Sequence, residues 1–110
     1  MADQLQTRFR IILHSVDSDW TSRVQAELAR LFQVEDRIAS SIVSSAPIVV
    51  FDDMEFMVAI ELRRRMQSLV DAGCVFITTD EQSDEVPRIN WPEMPEFARQ
   101  SIEQINNKSK

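Results

Sequence analysis

The sequence predicts an α+β fold of two layers, with an antiparallel three-stranded sheet and helices on one of its faces. Three observations carry this. Apolar and polar side chains alternate through Phe9–His14, as in a half-buried strand. Apolar residues then recur at helical spacing in the stretches that separate three strand-like runs. The single glycine, Gly73, stands between the last of those helical stretches and the run Cys74-Val75-Phe76-Ile77-Thr78. The predicted order is β-α-α-β-α-β, followed by a C-terminal extension that ends in a short helix.

The first strand is expected over 8–15, with Phe9, Ile11 and Leu13 on one face and Arg10 and His14 on the other. Asp17, Ser18 and Asp19 supply caps for a helix whose stripe is Trp20, Val24, Leu28 and Leu31. A second helix, from about 35 to 45, carries Ile38, Ala39, Ile42 and Val43 and stops before Pro47, which cannot continue the hydrogen-bond ladder. Ile48-Val49-Val50-Phe51 is β-branched and apolar and forms the second strand. The longest helix should then open at Asp52-Asp53 and run to about Ala72, with Ala59, Leu62, Met66, Leu69 and Val70 inward. Gly73 suits the left-handed position just past it, and the third strand follows. A last helix is expected from about 96 to 106.

At 110 residues the chain fits one domain, since domains run to ~100–150 residues. Residues 1–79 hold the α+β domain and 80–110 an acidic extension punctuated by Pro87, Pro92 and Pro95. The extension should fold back, because Val86, Ile89, Trp91, Met94 and Phe97 match an open sheet face left by the helices. One cysteine, Cys74, allows no disulfide within the chain. The first residues lack the basic and apolar regions of a secretory signal, and no apolar run reaches membrane-spanning length, so a cytoplasmic protein without a membrane partner is expected. The net charge of −6 opposes the phosphate neutralisation that nucleic-acid binding requires. Its acids are uneven: 80–103 carries seven acids against two arginines.

Little in the sequence has the pattern of catalysis. His14 is the sole histidine, so no metal cluster built on histidines can form. A Cys74–His14 pair competes with the plainer reading of Cys74 as a small core residue. One glycine cannot make a phosphate-cradling loop, and no cofactor is implied. Asp52, Asp53 and Glu55 read as acids favoured at a helix start rather than as a catalytic pair. Arg63-Arg64-Arg65 point ~100° apart on a helix and should not converge on one ligand; Glu61 is placed to pair with Arg65 at i,i+4.

Phe9–Ile77 resembles the C-terminal domain of the bacterial ribosomal stalk protein. The resemblance rests on Ala39-Ser40-Ser41-Ile42-Val43-Ser44-Ser45-Ala46-Pro47, on Ala59, Leu62 and Met66, and on the Ala72-Gly73 turn. The glycine- and lysine-rich segment with which that family engages translation factors has no counterpart in Phe32–Ile38. The same order also resembles ClpS, the Clp-protease adaptor, through Ile11-Ile12-Leu13-His14, Asp17 and Phe32–Ala39. Ser15-Val16 and Ala46-Pro47 stand where the adaptor's amine pocket has its polar groups, so recognition of protein N-termini is expected to be lost.

The expected function is a non-catalytic, adaptor-like module on such a scaffold that binds a protein partner, and surplus apolar surface motivates it. The long helix leaves Phe56, Met57 and Ile60 off its core stripe, with Arg63 and Arg64 at the rim, and these five residues are the candidate docking surface. Two alternatives stand beside it. One is a small enzyme using His14, Cys74 or the carboxylates in a cleft; the other is a self-associating subunit, in its simplest form a homodimer.

Overall fold

β1 (Phe9–Val16) is the middle strand of an antiparallel sheet, with β2 (Ile48–Met54) on one side and β3 (Cys74–Thr79) on the other, in a computed structural model that describes residues 7–82, 85–89 and 94–108. The alternation read from the sequence sets its faces: Ile11 and Leu13 are fully buried beneath the helices, and His14 is exposed. Ile12 lies opposite Val49 on β2 and Ile77 on β3, so these three make a row across the sheet. Pairing with β3 shifts between Leu13 and Ser15, a bulge at His14.

The helical layer follows the predicted order. Asp17 caps a short 3-10 turn, Ser18–Trp20, by accepting the Asp19 N–H at 3.0 Å. The turn hands over to α1 (Thr21–Phe32), which buries Val24, Leu28 and Phe32. Trp20 was expected in that stripe but is exposed, because the turn ends before the α-helical face begins; Phe32 fills the inner end instead. α2 (Asp36–Ser44) buries Ala39 and Ile42 and leaves Ile38 exposed. Next in order come β2, α3 (Phe56–Arg65), α4 (Gln67–Ala72) and β3.

Two boundaries differ from expectation. β2 continues through Asp52-Asp53 to Met54, so these acids end a strand and do not cap a helix. Glu55 occupies the cap position of α3 without a side-chain capping bond. The long helix also breaks at Met66, which is fully buried and whose N–H is shared between the carbonyls of Leu62 and Arg63, at 3.0 and 3.2 Å. That shared bond tightens the turn and redirects α4, while Ala59, Leu62, Met66 and Leu69 still form one buried stripe. Gly73 (φ 125°) then reverses the chain into β3.

Beyond β3 the chain returns to the sheet at the outer edge of β2. The Val49 N–H donates to the Pro87 carbonyl at 2.8 Å, and the Ile89 N–H to the Val49 carbonyl at 3.0 Å, in a parallel bridge. α5 (Glu96–Lys108) then joins the helical layer beside α3 and α1. Phe97 stacks on Phe32 with ring centroids 5.4 Å apart and meets Phe51 edge-on at 5.8 Å. Ala98 and Ser101 are fully buried, the Ser101 hydroxyl donating to the Phe97 carbonyl at 2.8 Å. The described part of the extension therefore folds back, along the edge of β2 and into the helical layer. Val50 and Phe51 both lie in the core, where the Phe97 ring meets Phe51. On the open face Val75 and Ile77 remain 50% and 39% exposed. Trp91, assigned to the same docking set, lies outside the described residues.

Candidate protein-interaction surface

α3 turns Val58, Ala59 and Leu62 toward the sheet, and its opposite flank is left with large apolar side chains. Phe56, Met57 and Ile60 are 52%, 57% and 46% exposed. The first of these is held from one side: its ring lies 5.1 Å from that of Phe9. The other two project outward on neighbouring turns. Three such side chains on one helix face give an exposed apolar strip, and Met57 adds the adaptability of an unbranched thioether.

The two arginines at the rim are already engaged. Arg63 donates to the Thr78 hydroxyl at 2.8 Å, and its guanidinium lies 5.8 Å over the Phe76 ring. Arg64 grips Glu61 through two bonds of 2.9 and 2.6 Å, and Arg65 reaches the same carboxylate at 3.0 Å. Bonds from Arg64 and then Arg65 lower the Glu61 carboxyl to a pKa of about 2. The expected Glu61–Arg65 pair is present, but the three arginines are not as divergent as their 100° spacing suggested. Long side chains let two of them bend onto one acid of their own helix. The rim arginines are thus held in place but not fully neutralised: Arg64 and Arg65 share one carboxylate, and Arg63 rests on a neutral hydroxyl and a ring.

A second constellation was not foreseen. Arg10, on the open face of β1, is only 4% exposed. Its guanidinium contacts both Asp52 carboxylate oxygens at 3.3 Å and the Gln82 side-chain oxygen at 3.0 Å. Arg88 from the returning extension bonds the same Asp52 at 2.8 Å. Burial disfavours the Asp52 charge, but the Arg88 bond, the Asp53 N–H and the Arg10 charge outweigh it and hold the carboxyl below its ordinary value. Asp53 takes a left-handed backbone (φ 57°), and Arg8 binds both its carboxylate at 2.8 Å and its carbonyl at 2.5 Å. An arginine inside an apolar strand was the one signal available for this cluster; its partners lie 42 and 72 residues away.

These groups line a hollow of about 540 Å³ that holds Arg8, Asp52, Asp53, Asp80, Gln82 and Arg88. A carboxyl serving as general acid or base needs its pKa moved up toward the working pH, and Asp52 is moved the other way. His14 is exposed and sits 3.4 Å from the Ser15 hydroxyl, whereas Cys74 belongs to the buried core, where burial pushes its thiol up to about 11. The pair expected as an alternative nucleophile and base is therefore divided between the surface and the interior of the sheet. A thiol so raised is a weak source of thiolate. Among the described residues no group of three or more histidines, cysteines or acids is placed to hold a metal ion, and no helix is long and apolar enough to cross a membrane.

Fold and surface together define a small α+β protein with an exposed apolar helix flank and a part-buried ion-pair clasp. No protein-family model, curated protein or solved structure matches the chain.

Proposed function

We propose that the chain is a non-catalytic, adaptor-like module that docks a protein partner on the outer flank of α3. The observation that supports this is the exposure of Phe56, Met57 and Ile60 side by side on a helix whose other face is fully used by the core. Large exposed apolar side chains in a group, rimmed by polar residues, mark interaction sites more often than isolated ones do. Arg63, bonded to the Thr78 hydroxyl, and Arg64, paired with Glu61, frame the strip. The carrying scaffold is the stalk- or ClpS-like arrangement that the sequence resembles, with a translation-factor or N-terminus-binding role left aside for want of the residues. Cytoplasmic placement belongs to the same reading.

A paired comparison tests it. Wild type and a Met57→Glu/Ile60→Glu variant are used as bait in a lysate of the source cells. Both substituted positions are exposed, so the variant should keep its fold and melting temperature. A partner retained by wild type and lost by the folded variant supports the proposal. Equal recovery by both baits, or none by either, counts against it.

A further inference from the structure

Independently of the α3 flank, we infer that β3 is a self-pairing edge: two copies of the chain join through antiparallel β3 strands into one continuous six-stranded sheet. The two edges of the sheet are treated differently. The outer side of β2 is occupied by 87–89, whose backbone bonds Val49 in both directions. The order β2-β1-β3 leaves the outer side of β3 without a pairing strand among the described residues. A row of backbone N–H and C=O groups on a strand edge is satisfied by water or by another extended backbone, and proteins that avoid the latter place lysine, proline or inward charges there. Cys74–Thr79 contains none of these.

The same composition favours an identical strand as occupant. β1 carries Arg10 and β2 carries Asp52 and Asp53, whereas β3 is the strand without a charged residue. In a chain of net charge −6, it is therefore the strand that a second copy can approach with no like charges directly opposed. A two-fold centred on Phe76 places Val75 of one copy opposite Ile77 of the other, because the strand period of two keeps both on the open face. Each is half-exposed in the single chain. The row Val49–Ile12–Ile77 would then continue into Val75 of the second copy.

The strand ends set the strength of this pairing. Antiparallel pairing brings Asp80 and Glu81 of one copy toward the start of the other β3, where the Asp17 N–H bonds the Gly73 carbonyl and Asp71 precedes the turn. Asp19 lies beside Asp17; the nearby cations are Arg23, which stacks on Trp20, and Arg63, bonded to the Thr78 hydroxyl. Acids thus outnumber cations at both rims, so the dimer is weak at low salt and tightens as salt screens them.

Sedimentation of the full chain over a range of concentrations and sodium chloride tests this, with hydrogen exchange as a second readout. The expected result is a monomer–dimer equilibrium that strengthens with salt and slows amide exchange in β3 by roughly tenfold or more at high concentration. Ile77→Lys, at an exposed position, should abolish dimerisation without altering the circular dichroism spectrum, and Met57→Glu should leave dimerisation intact. A monomer at every concentration and salt overturns the inference. So does a dimer whose β3 amides exchange as in the monomer, or one that survives Ile77→Lys. Protection of β3 by an extended segment of another protein, in a chain that stays monomeric, also overturns it.

Discussion

Arg10 and Asp52 are joined across neighbouring strands, the guanidinium meeting both carboxylate oxygens at 3.3 Å with the arginine almost entirely buried. Arg88 bonds the same carboxylate, so one acid ties the central strand to the returning extension. Breaking a buried pair from one side strands the other charge, at ~3–5 kcal/mol when burial is complete. Asp52 is partly exposed, so Asp52→Ala should cost about 2–3 kcal/mol. Adding Arg10→Met to that variant should recover part of the loss, because the stranded charge is gone. Urea unfolding of the two single variants and the double variant measures this coupling; a double variant less stable than either single would show that the pair is not acting as described.

Acid should loosen the same clasp. The Asp52 carboxyl is depressed in the folded protein, so its contribution is present above the ordinary carboxylate pKa and is lost as pH falls through the lowered folded value. Glu61 acts in the same sense, between an ordinary 4.5 and about 2, though its surface position lets salt weaken it. Melting temperature followed from neutral pH downward should therefore fall less steeply in Asp52→Asn than in wild type. Parallel profiles would remove Asp52 from the account of acid sensitivity.

The extension should behave as part of the fold. Phe97 is buried between Phe32 and Phe51, and Phe97→Ala is expected to cost ~3–4 kcal/mol, in the range for removing a core aromatic. Met57→Ala, on the exposed strip, should stay within ~0.5 kcal/mol. Truncation after Thr79 should lower the melting temperature sharply, since it removes Phe97, Ala98 and the strand bridge together. Chemical denaturation of the three proteins checks the ranking.

Gly73→Ala tests the one turn that depends on glycine. Its φ of 125° is disfavoured for side-chain-bearing residues, and a methyl group there would stand 3.2 Å from the Trp20 Cβ and 3.3 Å from the Asp17 Cβ. Both neighbours are set on backbone close to the chain reversal, so neither yields freely. A loss of ~1–3 kcal/mol in thermal or urea unfolding is expected.

Local chemistry explains which features the sequence disclosed. Ile11 and Leu13, Val24 and Leu28, and Ala59, Leu62, Met66 and Leu69 follow strand or helix periods and are all buried. Gly73 was legible because its conformational demand is local. Where an outcome depended on distant residues, the sequence misled. Asp52-Asp53 have the composition of a helix start, yet Arg8 and Arg10 at the start of β1 and Arg88 from the returning extension hold them at the end of a strand. Trp20 fits the helical spacing of α1 but falls in the preceding turn. The exposed strip at Phe56, Met57 and Ile60 could be located from helix geometry alone, because a helix with one buried stripe must leave its opposite flank outward. The pairing of Arg63 with Thr78 could not, since it depends on how α3 crosses β3.

The most direct measurement of partner docking on α3 is site-specific photo-crosslinking in the source cells. A photoreactive side chain is placed at Met57 and, as a control, at Arg37, an exposed position on α2. The account predicts a discrete adduct of one partner from position 57 that is absent from position 37 and disappears when Ile60→Glu is added. No adduct at 57, or the same adducts from both positions, would contradict it.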